Sequence, residues 1–194
     1  MELSDRQIEI IGAASRLLTQ QGLTGLTIKN LAKEMAFSES AIYRHFSSKE
    51  EIILTMLRYL RENMQERLTQ AIGESADPTE QLTAVFKNQF DFFAAHNHFL
   101  IIILSEGLIE YTESVQQALL SLVLTKKGFI DQIVEAGQHE GIFTQTLSSD
   151  FLTHTIMGIF RLLMLKWRMS GFQFDLSVVG QRMIQDVITL LRPS

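Results

Sequence analysis

Apolar residues recur at intervals of three and four along nearly the whole chain, and no alternating apolar–polar run is long enough to compete as a strand. This period predicts an all-α protein of about nine helices. The first helix starts at Ser4, which forms a capping-box pattern with Gln7, and its expected buried face is Ile8, Ile11, Ala14 and Leu18, with the small Ser15 beside them. Gly22 is placed to end it. A short helix from Thr27 buries Ile28, Leu31, Ala32 and Met35; after Ala36-Phe37-Ser38 another begins, with Ile42, Tyr43 and Phe46 as its larger apolar groups. Ser47 and Ser48, with Glu50 and Glu51 at capping offsets, open a long fourth helix carrying Ile53, Met56, Leu57, Leu60, Met64 and Leu68.

Gly73 to Asp77 makes the first clear break. Asp77-Pro78-Thr79-Glu80 then reads as an N-cap, a first-turn proline and an N3 carboxylate. The helix it opens carries Leu82, Val85, Phe86, Phe90 and Phe93 and fades at His96-Asn97-His98. A short apolar helix runs from Phe99 to near Gly107, and a longer one from about Ser114 to His139, stopped by Gly141. Ser148 or Ser149 caps an eighth ending near Gly171, and Leu176 to Leu191 form a ninth. No internal repeat or low-complexity segment interrupts the pattern.

Composition narrows the classes. The absence of cysteine excludes disulfides, thiolate metal sites and cysteine nucleophiles. The richest apolar stretch, Phe99 to Leu104, is too short to span a bilayer, and Met1 to Arg6 lacks the basic start of a signal peptide, so a cytoplasmic protein without membrane association is expected. A net charge of −5 does not advertise nucleic-acid binding. Residues 1–54 hold six basic and seven acidic side chains, but within 27–49 Lys29, Lys33, Arg44 and Lys49 outnumber Glu34 and Glu39, with His45 beside them. Charge alone leaves DNA binding open.

The segment 27–50 decides more. Two short amphipathic helices flank a three-residue turn, the spacing of a helix-turn-helix. The second helix opens with the small and polar Ser38-Glu39-Ser40-Ala41, suited to close approach to base edges, and then presents Tyr43, Arg44 and His45. Lys49 stands at the start of the next helix, where its ammonium and the free backbone N–H groups suit a phosphate. Phe46 is expected to be core.

Thr27-Ile28-Lys29-Asn30-Leu31-Ala32 and Ala41-Ile42-Tyr43-Arg44-His45-Phe46-Ser47-Ser48-Lys49-Glu50-Glu51 resemble the signature of the TetR family of transcriptional regulators, with Ala13-Ala14, Leu17-Leu18 and Gly22 matching its first helix. One departure is Ala36, where the family commonly has glycine; alanine in a left-handed turn costs about 1 kcal/mol. The resemblance implies an N-terminal three-helix DNA-binding domain, residues 1–48, joined by a long fourth helix to a helical ligand-binding and dimerisation domain, residues 49–194. It implies a homodimeric repressor on palindromic double-stranded DNA, released by a small apolar or amphipathic effector, with no enzymatic activity, cofactor or metal. Position by position, Thr27 and Tyr43 would bind phosphate and Lys49 another. Lys29, Ser38, Glu39, Ser40, Arg44 and His45 would lie at the bases, Arg44 being suited to the N7 and O6 of guanine. Glu39 fits either a cytosine amine or the helix N-terminus.

Two further sets are weighed against plain core packing. Phe86, Phe90, Phe93, Tyr111, Phe129, Met164 and Trp167 are candidate ligand-lining residues, with Gln89, His96, Tyr111 or Arg161 as polar groups to orient a ligand. Phe151, Thr155, Gly158 and Leu162, and Val179, Met183 and Val187, form stripes for either a dimer interface or burial within one subunit. His96-x-His98 points in two directions on a helix and reads as solvated rather than metal-binding. The alternative to a repressor is a helical carrier of apolar ligands without DNA function.

Overall fold

The computed structural model describes residues 3–193, so Met1 and Glu2, part of the signal-peptide reading, and Ser194 lie outside it. Among the described residues it contains ten helices and no strand: α1 Asp5–Gly25, α2 Ile28–Glu34, α3 Glu39–Tyr43, α4 Lys49–Ile72, α5 Pro78–Ala95, α6 Asn97–Ile103, α7 Glu106–Ile109, α8 Glu113–His139, α9 Ser149–Met169 and α10 Leu176–Leu191. The expected single helix after Phe99 is two, because the chain turns at Leu104 and Ser105 between α6 and α7.

Packing divides the chain into two units, Met1–Arg61 with His98–Leu122 and Glu62–Asn97 with Val123–Ser194. This differs from an expected division at residues 48 and 49. The start of α4 buries Ile52, Ile53, Met56 and Leu57 in the first unit, and residues 98–122 belong to that unit too.

In the first unit, Ser4 and Gln7 close the capping box reciprocally: Ser4 Oγ accepts from the Gln7 N–H at 3.3 Å, and Gln7 Oε1 accepts from the Ser4 N–H at 3.1 Å. Gly22 breaks α1 with φ +66° and ψ −170°. The helix buries Ile10, Ile11, Ala13, Ala14, Leu17 and Leu18, whereas Ile8, expected in that face, is 42% exposed. At about 100° per residue, Ile8 lies roughly 120° around the helix from Ala14, at the centre of the buried stripe. Ile28 and Met35 are half-buried rather than core. The α4 start is doubly held, with Ser48 Oγ accepting from the Glu51 N–H at 3.1 Å and the Glu51 carboxylate taking both the Ser47 N–H (2.6 Å) and the Ser47 hydroxyl (2.7 Å). Those hydrogen bonds pull the Glu51 carboxyl below its usual pKa.

In the second unit, Asp77 Oδ1 accepts from the N–H groups of Thr79 and Glu80, as the Asp-Pro start predicts; Glu80 itself accepts from Ser75 Oγ at 2.6 Å. Ser148 caps α9, and Asp175, unremarked in the sequence, caps α10 through the N–H groups of Ser177 and Val178. Helix α10 lies against α5, and Gly180 is what permits the approach: a Cβ there would stand 2.5 Å from the Phe90 ring. Among the described residues, no helix is long and apolar enough to cross a membrane.

Candidate DNA-reading face and ligand region

Helix α2 packs between α1 and α3. Thr27 caps α2, its hydroxyl accepting from the Asn30 N–H at 3.1 Å, and the Asn30 amide donates to Gly25 O at 2.8 Å. At the other end the Phe37 N–H reaches Ala32 O (2.8 Å) and the Ala36 N–H reaches Lys33 O (3.2 Å), closing the helix through Ala36 at φ +55°. Alanine therefore does occupy the left-handed position where relatives commonly carry glycine.

Ser38 caps α3, accepting from the Ala41 N–H at 3.2 Å and sharing a hydrogen bond with the Ser40 hydroxyl at 2.9 Å. Ile42 and Phe46 are 0% and 1% exposed, fixing α3 against its unit. The opposite side therefore points outward: Ser38, Glu39, Ser40 and Arg44 are exposed, Tyr43 is 52% exposed and His45 is half-buried. Thr27 and Lys29 are exposed on α2. Of the two acids in this stretch, Glu34 pairs with Arg16 of α1 at 3.5 Å.

Lys49 does not share this freedom. Its ammonium donates to Leu23 O at 2.6 Å, lies 5.3 Å above the Tyr111 ring, and has its pKa lowered by burial. Next to it Glu50 accepts from the Thr112 hydroxyl at 2.8 Å. Tyr111 thus sits in the first unit, against the start of α4.

Those others lie in the second unit. Phe86, Phe90, Phe93, Met164 and Trp167 are buried and Phe129 is half-buried. Phe86 and Phe90 meet Phe160, with ring centroids 5.4 and 5.7 Å away, and Trp167 donates to Phe174 O at 3.0 Å. Sequence reasoning missed Phe160, although its spacing to Met164 and Trp167 places it on their face. It also missed Lys126, whose ammonium stands 3.8 Å over the Phe160 ring centroid. A surface groove of about 290 Å³ between α4 and α5 is lined by Arg67, Glu74, Lys87 and Asp91 among others. Lys87 pairs with Asp91, and the Arg67 guanidinium donates to the side-chain amide oxygens of Asn63 and Asn88.

On α9, Phe151, Thr155, Gly158 and Leu162 are all exposed, and Leu165 and Met169 continue the stripe. A Cβ on Gly158 would meet nothing within 4 Å. On α10, Val179 is 40% exposed and Met183 is half-buried, but Val187 is 4% exposed and belongs to the core face. Val178 and Leu190 are the most exposed large apolar side chains of α10, at 65% and 71%.

A short tri-helical reader with a capped, outward-facing third helix, continued by further helices, defines the class of helix-turn-helix regulators. Residues 10–56 match the bacterial regulatory proteins of the tetR family, and residues 60–191 match the C-terminal region of YsiA-like proteins. The chain belongs to the TetR family. It is 30% identical over 119 residues to the HTH-type transcriptional regulator YuxN of Bacillus subtilis, a match covering 59% of this chain; the chain spans 40% of the length of that relative. It is 21% identical over 184 residues to the fatty acid metabolism regulator protein of the same organism, covering 95% of this chain and 94% of the relative. Its fold matches FadR of Bacillus subtilis, solved in complex with stearoyl-CoA, with a TM-score of 0.84 at 20% identity over 95% of this chain and 99% of that one. The family and these relatives are transcriptional regulators.

Proposed function

We propose that this protein is a sequence-specific, homodimeric DNA-binding repressor in the cytoplasm, released from a palindromic operator by a small apolar or amphipathic ligand. The observation that carries the reading is the outward face of α3, where Ser38, Glu39, Ser40, Tyr43 and Arg44 stand exposed around a buried Ile42 and Phe46. Such a helix fits a major groove, with its N-terminal residues near base edges. Arg44 takes guanine, His45 and Lys29 lie beside it, and Thr27 and Tyr43 hold phosphate. Lys49 joins them only by exchanging the Leu23 carbonyl for a phosphate oxygen, so its contribution depends on where the start of α4 sits.

One reader makes too few contacts for a specific complex; two half-sites about 34–36 Å apart suffice. The exposed stripe Phe151–Thr155–Gly158–Leu162 of α9, with Val179 and Met183 of α10, supports pairing with a second copy. A DNA-binding domain of residues 1–48 and an effector and dimerisation domain of residues 49–194 meet in α4. A ligand that prefers the state with separated readers lowers DNA affinity by linkage. Stearoyl-CoA, bound by the structurally similar FadR, supports an amphipathic effector of this kind.

The test is a gel shift of the full chain on the DNA upstream of its own gene at fixed salt, repeated with Arg44→Ala. Specific binding that the variant lowers by about tenfold or more is expected. Undiminished binding by the variant would remove α3 as the reader. Ligand uptake with no DNA shift at all would favour the carrier.

A further inference from the structure

Two consecutive residues at the start of α4 engage two consecutive residues at the junction of α7 and α8. The Lys49 ammonium lies 5.3 Å from the centre of the Tyr111 ring, and Glu50 accepts from the Thr112 hydroxyl at 2.8 Å. All four residues are half-buried and belong to the first unit. The junction itself is well anchored. Leu108 and Val115, on either side of it, are fully buried, and Thr112 Oγ1 accepts from the Val115 N–H at 3.3 Å, capping α8. A third hold comes from the end of α1, where Leu23 O accepts from Lys49 at 2.6 Å. The Leu23 side chain lies beside Gly107 of α7, whose Cβ, if it had one, would stand 3.7 Å from Leu23 Cδ2.

The groups that hold the lysine are neutral. A carbonyl oxygen and a ring face attract an ammonium without cancelling its charge, so a phosphate still competes for it. A phosphate contact brings a full counter-charge and also releases condensed cations from the duplex. Tyr43 and Arg44 of the preceding helix stand exposed to solvent, whereas Lys49, the next cation along the chain, is turned inward.

We infer that Tyr111 is a positioning residue for DNA binding: with Thr112 fixing the start of α4, it keeps Lys49 on Leu23 O and withholds that cation from the phosphate backbone. The inference rests on the DNA-binding reading above and goes beyond it, because it makes the α7–α8 junction a point where affinity is set. Drawing Tyr111 away from Lys49 returns one cation per subunit to the duplex and tightens binding.

The test measures the affinity of the full-length protein for the DNA upstream of its own gene over a series of salt concentrations. Each phosphate contact steepens the fall of log affinity with log salt by about 0.9, so one lysine gained by each subunit of a dimer adds about 2 to the slope. Lys49→Gln should leave the slope unchanged and the affinity within about twofold. Tyr111→Leu keeps an apolar contact but removes the ring face; it should raise affinity about fivefold and steepen the slope by about 2. Tyr111→Phe keeps the face and should match the unsubstituted protein. In a Lys49→Gln background, Tyr111→Leu should change neither quantity. A shallower slope for Lys49→Gln alone would mean that Lys49 already meets phosphate and would overturn the inference, and this arm needs no Tyr111 variant to fold. A folded Tyr111→Leu protein that binds no tighter, or one whose gain persists without Lys49, would overturn it as well. Melting curves without DNA read the contact separately: the losses from Lys49→Gln and Tyr111→Leu should be less than additive, and full additivity would mean that ring and ammonium do not interact. A protein that shows this coupling but binds no DNA loses the repressor reading and this role with it, whereas DNA binding without these effects loses this role alone.

Discussion

Helix α3 and the interior between α5 and α9 treat polar groups in opposite ways. Around α3 every feature agrees: Ser38 caps the helix, Ile42 and Phe46 anchor it, and the charged and aromatic side chains Tyr43 and Arg44 face outward where solvent keeps them. In the second unit the rules are broken, with Gln89 and Thr153 buried without partners and Lys126 desolvated without a carboxylate. A reading face must be finished before DNA arrives, because its partner is large and rigid. A site for a small ligand can be left incomplete, since the ligand brings the missing groups. Places where local rules fail are where function is to be sought.

The comparison breaks most visibly at the reader. Replacing Tyr43 and Arg44 together by alanine should lower operator affinity about 100-fold at fixed salt, since each removes a contact of about 1–3 kcal/mol. The melting temperature should hardly move, because both side chains are exposed. A matching fall in melting temperature would mean these residues hold the fold rather than the DNA.

Two glycines sharpen the contrast between a closed face and an open one. Gly180→Ala forces a methyl group to within 2.5 Å of the Phe90 ring and should cost about 1–3 kcal/mol, read by denaturant unfolding. Gly158→Ala meets nothing within 4 Å in its own subunit, so it should gain up to about 1 kcal/mol of helix propensity. If a second copy packs on α9, the same change weakens the dimer, visible by sedimentation as dissociation at higher protein concentration. A dimer unaffected by it would move the interface elsewhere.

Much of the fold was legible because it is written in local signals. Ser4–Gln7, Ser48, Asp77-Pro78 and Ser148 act as caps where the spacing placed them, and Thr27 and Ser38, read only as DNA contacts, cap α2 and α3 as well. What could not be read is what depends on distant partners. Nothing local says that Lys49 turns inward to Leu23 O, that Tyr111 joins it there, or that Val187 faces the core while Val178 does not. Helical period gives a stripe, but the neighbours decide which edge of it is covered. That is also why Ile8 is exposed and why Lys126, an ordinary lysine on a long helix, gave no signal.

Lys126 supplies the next test. An unfolded lysine keeps its proton up to about 10.5 whereas the folded one releases it near 7, so over that window the unfolded state binds more protons. This group therefore makes stability rise with pH from about 7 towards 10.5, and below about 7 the cost of the buried charge stands in full. Lys126→Met should flatten that part of the profile and raise stability at neutral pH by on the order of 1–2 kcal/mol. Melting curves near pH 6 and pH 9 measure it.

The smallest effect tests the turn beneath the reader. Ala36 at φ +55° carries left-handed strain of about 1–2 kcal/mol that glycine would not. Glycine, however, adds freedom to the unfolded chain, which offsets about 0.4–1 kcal/mol of the relief. Ala36→Gly should therefore stabilise the protein by less than about 1 kcal/mol. Because the turn closes through Phe37 N–H to Ala32 O in either case, α3 should keep its place and operator affinity should be unchanged. If the substitution destabilises, the unfolded-state entropy outweighs the strain. If it lowers DNA affinity as well, the stiffness of alanine at this turn is part of how α3 is held ready for the groove.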